Sequence, residues 1–264
     1  MRTVRTVDEV RAAIGDGASV GLVPTMGALH DGHLSLFRAA RAENDTVVAS
    51  LFVNPAQFAD EADLAAYPRD EARDLRLAAE AGVDLLFAPS LEEMYPAGFQ
   101  TWVEVGELSA GLEGDARPGH FRAVATVCLK LFNIVRPARA YFGQKDAQQA
   151  AVIRRLVRDL DLPLEIRVLP TVRDPDGLAL SSRNARLSPE EREQALSLPR
   201  ALASGAETYR SGGDAVAAAV AELNGLTPDY VELLDLDGAL VLAAAVRVGS
   251  TRLIDNVVLQ GELR

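Results

Sequence analysis

The sequence predicts an α/β protein: a doubly wound parallel sheet followed by a smaller α+β domain. Three observations carry this reading. Short apolar runs alternate with helix-length segments up to about residue 170, the rhythm of a parallel sheet with helical crossovers. The run at 46–53 is continuously apolar, as in a strand covered on both faces. After residue 175 the order changes, with helical segments first and strands after them.

The first run, SVGLV at 19–23, reads as a strand, and helical spacing follows over 32–43. TVVASLFV at 46–53 is the second strand, and 70–81 reads as a helix ended by Gly82. The third run is 83–88. After an irregular insert, 121–135 is strongly apolar-periodic and stops before Pro137, whose ring disfavours helix in the residue ahead of it. A short strand at 139–142, a helix at 147–159 and a strand at 164–169 complete the series. Right-handed crossovers then put helices on both faces. Beyond the break, 189–209 and 214–224 look helical, and 230–235 and 243–259 look like strands. The boundary falls within 173–188, giving a first domain over 1–175 and a second over 176–264.

With 264 residues, 48% of them hydrophobic, the chain can close a sizeable core. Its net charge of −11 argues against generic binding to nucleic acid or to an anionic membrane, because no basic excess exists to release counterions. An anionic ligand therefore needs a local basic pocket. Cys128 is the only cysteine, so no intrachain disulfide forms, and it reads as a buried structural thiol in an apolar helix. That usage fits a reducing cytoplasm. The N-terminal ten residues are charged and lack the apolar core of a signal peptide. The longest apolar stretches, such as 240–246, are far too short to span a membrane. Only two of the 27 basic residues are lysine, Lys130 and Lys145, and the three histidines are His30, His33 and His120.

Open α/β sheets bind ligands beyond the carboxyl ends of their strands. The segments following the strands are PTMGALHDGH at 24–33, NPAQF at 54–58, GQKD at 143–146 with Gln148 and Gln149 behind it, and Val172 followed by DGLALSSR at 176–183. Every cluster of unusual polar chemistry thus lies on one edge of the sheet. Gly27 and Gly32 allow a tight strand-to-helix turn. The free N–H groups of the helix behind it make a phosphate seat. His30 and His33, spaced i, i+3, can face one ligand and protonate a phosphate oxygen as charge develops. A helix-capping turn with two surface histidines is the plain reading of the same residues. A zinc site lacks a third ligand.

Lys145 suits a point contact to a phosphate, and Asp146 a ribose hydroxyl or Mg2+, unless the two form a solvated pair. Ser181, Ser182 and Arg183 can wrap phosphate oxygens, or form an ordinary linker turn. Gln57 and Gln149 offer neutral hydrogen bonds to a small polar acid, or simply face water. Arg117, His120 and Arg122 form either a basic gate or solvated loop charge. No P-loop, no G-x-G-x-x-G after a strand and no G-x-S-x-G elbow occurs. Histidines after the first strand without a P-loop point to nucleotidyl transfer.

These strings resemble the pantoate–β-alanine ligases, the pantothenate synthetase family of the HxGH nucleotidyltransferase superfamily. The matching segments are PTMGALHDGH, FVNPAQF at 52–58, YPRDEARDL at 67–75, RPGHFRAVATV at 117–127, YFGQKDAQQ at 141–149, PTVRDPDGLALSSRN at 170–184 and TRLIDN at 251–256. They run in the family's order over nearly the whole chain. The resemblance implies a Rossmann-like nucleotide- and pantoate-binding domain, a C-terminal lid domain and a homodimer. It also implies ATP-dependent joining of (R)-pantoate to β-alanine through pantoyl adenylate, with Mg2+ present.

Under that resemblance Met26, Gly27, Ala28, Leu29, His30, Asp31, Gly32 and His33 line the ATP site, with His33 as proton donor and His30 beside it. Gly143, Gln144, Lys145 and Asp146 contact the nucleotide, Lys145 on phosphate and Asp146 on ribose. Val172 touches adenine, and Leu180, Ser181, Ser182 and Arg183 close over the phosphates. Gln57 and Gln149 bind pantoate, Gln57 also facing β-alanine, and Asp74 falls near the magnesium region. Three positions depart from the family pattern: Leu180 stands for a methionine, Ala123 for a glycine and Gln144 for a glutamate. Two other readings stay open. One is a sibling nucleotidyltransferase that transfers AMP or CMP to a phosphate-bearing acceptor. The other is a nucleotide-sensing module without catalysis.

Overall fold

The computed structural model describes residues 1–15, 17–58 and 60–263. Its contacts divide the chain into two compact units, Met1–Phe142 with Gln148–Leu169, and Gly143–Ala147 with Pro170–Arg264.

The first unit is a six-stranded parallel sheet with flanking helices. In chain order its elements are β1 (Arg2–Val4), α1 (Val7–Ala13), β2 (Val20–Val23), α2 (Asp31–Glu43), β3 (Thr46–Ser50), α3 (Glu61–Ala66), α4 (Glu71–Glu80) and β4 (Leu85–Phe87). Then follow α5 (Leu91–Met94), α6 (Leu112–Ala116), α7 (His120–Val135), β5 (Arg139–Gly143), α8 (Ala147–Asp159) and β6 (Glu165–Leu169). The sheet order is β1-β4-β3-β2-β5-β6. The chain leaves β2 toward one edge and later returns to its other side as β5, so the carboxyl ends of β2 and β5 flank the switch point.

Why the strands are continuously apolar is visible in how they divide. Leu22, Val48, Leu85 and Phe87 pack with α1, α7 and α8 through Val10, Phe121, Leu131 and Ile153. Val23, Val47, Ala49 and Leu86 pack with α2 and α4 through Leu34, Phe37, Ala40 and Ala78. Alternate residues serve opposite cores, so both faces demand apolar side chains. The apolar signal at 46–53 outruns the strand, which ends at Ser50, because Phe52 still packs in the core after pairing stops.

The edge strand β1 and helix α1 have no counterpart in the sequence reading. β1 has three residues and buries only Val4, so no period can be read from it. Helix α1 carries its own start signal: Thr6 and Glu9 form a reciprocal capping box.

The second unit contains α9 (Pro189–Ala195), α10 (Ser197–Arg210) and α11 (Ala215–Glu222), then an antiparallel sheet of β7 (Pro228–Asp235), β8 (Leu240–Val248) and β9 (Thr251–Gln260). Its core joins Leu198, Leu202 and Ala219 to Leu242, Val246 and Leu253. The helical stretch at 189–209 is two helices, α9 and α10, meeting at Leu196. The stretch at 243–259 spans parts of two strands that turn at Gly249, whose φ is 55° and whose added Cβ would collide with the Glu191 carboxylate. Among the described residues no helix is long and apolar enough to cross a membrane.

Candidate active site

The turn after β2 is built from buried polar contacts. Thr25 donates its N–H to Ser50 Oγ (3.1 Å) and its hydroxyl to the Ser50 carbonyl (2.6 Å), lacing the ends of β2 and β3 together. Gly27 has φ 85°, and a Cβ there would stand 2.6 Å from Leu51 Cδ1 and 2.8 Å from Asp74 Oδ2. Only glycine fits. Ala28 follows in the left-handed region at φ 52°, a strained conformation for alanine that needs an outside hold. Asp74 on α4 supplies it, accepting Ala28 N–H at 2.8 Å and Leu29 N–H at 2.9 Å. Arg73 donates to the Leu29 carbonyl at 2.8 Å. Asp74 therefore shapes the ATP-loop candidate. Its side chain is 2% exposed, and each oxygen accepts one of these amides. Among the described residues no cluster of three His, Cys, Asp or Glu side chains is arranged to hold a metal ion.

His30 and His33 open α2. His30 Nδ1 accepts Gly32 N–H at 3.2 Å, and His33 Nδ1 accepts His30 N–H at 3.3 Å, a reciprocal capping box made of two imidazoles. The capping reading and the phosphate reading are thus both served: each Nδ1 caps, and each neutral ring carries its proton on Nε2. The rings lie 4.2 Å apart between centroids. They share the helix N-terminus, where N–H groups and the macrodipole favour an anion.

Gln57 ends a 3₁₀ turn, Pro55–Gln57, capped by the buried Asn54, whose side chain accepts Ala56 N–H at 3.2 Å. The Gln57 carbonyl accepts from Arg117 Nη2 (3.0 Å) and faces His120 Nδ1 (3.2 Å), while His120 Nε2 lies 3.2 Å from Arg117 Nη1. Arginine has only donors. His120 Nε2 must then accept and Nδ1 must donate, which fixes its neutral tautomer. Neither a gate nor solvated charge describes these two side chains; they anchor the backbone of Gln57. Arg122 instead stacks over Trp102, 5.2 Å from the ring centroid.

The paired glutamines at the start of α8 have different surroundings. Gln148, 5% exposed, shares its amide hydrogens among the carbonyls of Leu108 (3.1 Å), Ala110 (3.0 Å) and Gly111 (3.3 Å), and accepts Glu113 N–H at 3.1 Å. It ties down an irregular segment that sequence alone left unassigned. Gln149 is half-buried.

Within the second unit, Gln144–Asp146 forms a 3₁₀ turn. Asn256 of β9 donates to the carbonyls of both Gln144 and Lys145 at 2.9 Å. The Lys145 side chain is half-buried and has no ion-pair partner among the described residues; Asp146 is exposed. Val172 and Leu180, far apart as motifs, are neighbours: Leu180 N–H donates to the Val172 carbonyl at 3.0 Å, across a turn closed by Asp174 and Gly177. Ser181 caps the 3₁₀ turn Ser182–Arg186 by accepting Arg183 N–H at 3.3 Å.

Comparison with known proteins is consistent across sequence and structure. The pantoate–β-alanine ligase family profile matches residues 1–258. The pantothenate synthetase of Roseiflexus castenholzii is 55% identical over 98% of this chain and 100% of its own. That of Moorella thermoacetica is 55% identical over 98% and 99%. The crystal structure of pantothenate synthetase from Thermus thermophilus superposes with a TM-score of 0.94 at 50% identity, covering 99% of this chain and 100% of that one. The Francisella tularensis pantoate–β-alanine ligase, crystallised with β-γ ATP and β-alanine, has a TM-score of 0.85 at 35% identity over 100% of both chains.

Proposed function

The chain belongs to the pantoate–β-alanine ligase family, and from that premise we propose that it joins (R)-pantoate to β-alanine through a pantoyl-adenylate intermediate. A carboxylate oxygen of pantoate attacks the α-phosphorus of ATP. The bond from that phosphorus to the bridging oxygen breaks, and pyrophosphate leaves. The neutral amine of β-alanine then attacks the acyl carbon, the C–O bond to AMP breaks, and the nitrogen sheds a proton. AMP is a far better leaving group than oxide, which is the reason to activate the acid.

The observation that carries this reading is the imidazole capping box at the start of α2. It commits both Nδ1 atoms to the backbone and so places the His33 proton on Nε2, which donates to the phosphate oxygens as charge develops. His30 supports it from the preceding position. The residues proposed to contact the nucleotide are, in the first unit, Met26 through His33 and, in the second, Gly143, Gln144, Lys145, Asp146, Val172, Leu180, Ser181, Ser182 and Arg183. Lys145 and Arg183 neutralise phosphate charge. Gln57 and Gln149 hold pantoate by neutral hydrogen bonds. Catalysis is positioning and electrostatics; the one cysteine, Cys128, is buried, and no covalent enzyme intermediate is invoked. Mg2+ bound to ATP would neutralise phosphate charge, alongside Lys145 and Arg183.

The division of labour we propose assigns residues 1–175 to nucleotide and pantoate binding and 176–264 to a lid that moves on closure. The protein is read as a cytoplasmic homodimer, and light scattering checks the dimer.

Labelled pyrophosphate tests the chemistry. It should exchange into ATP with pantoate and Mg2+ alone, and Gln57→Ala should suppress the exchange by weakening pantoate binding. Exchange that strictly needs β-alanine would rule out a free-standing adenylate. Exchange supported equally by unrelated acids would overturn the choice of pantoate.

A further inference from the structure

Asn256 is 3% exposed, and each polar atom of its side chain is engaged. Nδ2 donates to the carbonyls of Gln144 and Lys145 at 2.9 Å each, and Oδ1 accepts Gln144 Nε2 at 3.3 Å. An asparagine amide has two N–H donors, and both are spent on the turn that carries Lys145. Asn256 is itself fixed. It stands opposite Ala243 in the β8–β9 ladder, and its N–H donates to Asp255 Oδ1 at 2.8 Å. The buried Asp255 carboxylate receives two bonds from Arg173, at 2.6 and 3.1 Å.

From this arrangement we propose that Asn256 is a positioning residue for Lys145, and that Gln144 sets which way the Asn256 amide faces. The inference rests on the reading of Lys145 as a phosphate ligand. A lysine side chain is a flexible four-carbon stem with a point charge at its end. The fold can fix only its backbone, and here the fixing comes from β9. Rotating the Asn256 amide by half a turn would set Oδ1 against two carbonyl oxygens. The Gln144 Nε2–H group prevents this by satisfying Oδ1 on the far side.

The experiment measures pyrophosphate release at saturating pantoate and ATP in Asn256→Ala, Gln144→Ala, Lys145→Ala and the double variant Asn256→Ala/Lys145→Ala. Asn256→Ala should lower kcat by about 10²-fold, the scale of an ångström-sized misplacement, with KM for pantoate unchanged. Gln144→Ala, which keeps Asn256 and removes the donor to its Oδ1, should cost about tenfold in kcat, one hydrogen bond's worth. It also guards against an Asn256 variant that does not fold. In the Lys145→Ala background, removing Asn256 should cost less than about twofold, because the group it positions is gone. Losses that add in the double variant, or a kcat that Gln144→Ala leaves unchanged, overturn the inference alone. A fully active Lys145→Ala overturns the phosphate role of Lys145 and this inference with it.

Discussion

His33 accepts the amide of His30 on Nδ1 at 3.3 Å, while His30 accepts the amide of Gly32 on its own Nδ1 at 3.2 Å. The same contact that starts the helix therefore decides which ring nitrogen carries the proton. The cap and the proposed chemistry fall on opposite nitrogens of one side chain, and substitution can separate them.

His33→Asn keeps an acceptor near the Nδ1 position and removes Nε2. It should retain the thermal midpoint and lose about 10²–10⁴-fold in pyrophosphate release, the range for a positioned acid or base. His33→Ala should lose as much activity and, in addition, about 1 kcal/mol of stability through the missing cap. Pre-steady-state release assays with calorimetry on the same preparations check both. A folded, fully active His33→Asn enzyme would remove the residue from the chemistry.

On the proposed reading, Lys145 meets phosphate as a point charge and Arg183 as a fork. Each alanine variant should lose about 3–4 kcal/mol of transition-state stabilisation, comparable to one oxyanion donor. If either variant lost only pantoate affinity, with adenylation intact at saturation, its assignment to phosphate would be wrong.

Asp74 holds the left-handed turn at Ala28 through two amides. Asp74→Ala leaves both N–H groups unsatisfied, at about 1–3 kcal/mol each. The expected result is a lower thermal midpoint and a raised KM for ATP, with no change in the Mg2+ concentration that half-saturates activity. A selective shift in the Mg2+ requirement would return Asp74 to the metal.

Glu43 binds Arg167 through two hydrogen bonds at 3.1 Å and accepts the Tyr141 hydroxyl at 3.0 Å. The Arg167 hydrogen bonds, the largest cause, and then the Tyr141 hydrogen bond and the Arg167 and Arg139 charges hold its carboxyl below the ordinary 4.5. A depressed folded pKa stabilises above the unfolded pKa and loses that contribution as pH falls through the folded one. Glu43→Gln should thus be less stable than the parent near neutrality and converge with it as the pH falls from the ordinary carboxylate range through the folded pKa, as urea unfolding across pH would record.

Burial pushes the Cys128 thiol up to about 12. The native protein should resist alkylation by iodoacetamide at pH 8 and react fully once unfolded, because the thiolate is the nucleophile. Mass spectrometry of the two samples reads this directly.

Much of the protein is legible in one dimension. Apolar runs at 46–53 and 83–88 can be continuous only if both faces are covered, so they announce a parallel sheet before any strand is paired. Helix α8 carries its period over all of Ala147–Asp159. The site segments follow strand ends because only there does the backbone of such a sheet open toward a ligand. Short or composite elements escape: β1 is too brief for a period, and the break at Leu196 leaves the helical spacing of 189–209 intact.

What only the tertiary structure decided is which polar residues hold and which are held. Gln148 and Gln149 are identical letters in succession, yet one is spent on three carbonyls of a distant loop. Arg117 and His120 read as a gate or as solvated charge until the Gln57 carbonyl, 60 or more residues away along the chain, is seen to engage both. Asp74 and Asn256 carry no local mark of their partners. Periodicity and turn chemistry are written in neighbouring residues, because the helix and the strand impose them locally. A buried hydrogen bond between distant segments imposes nothing on its neighbours in sequence; it exists only once packing has excluded water and left each donor one acceptor within reach.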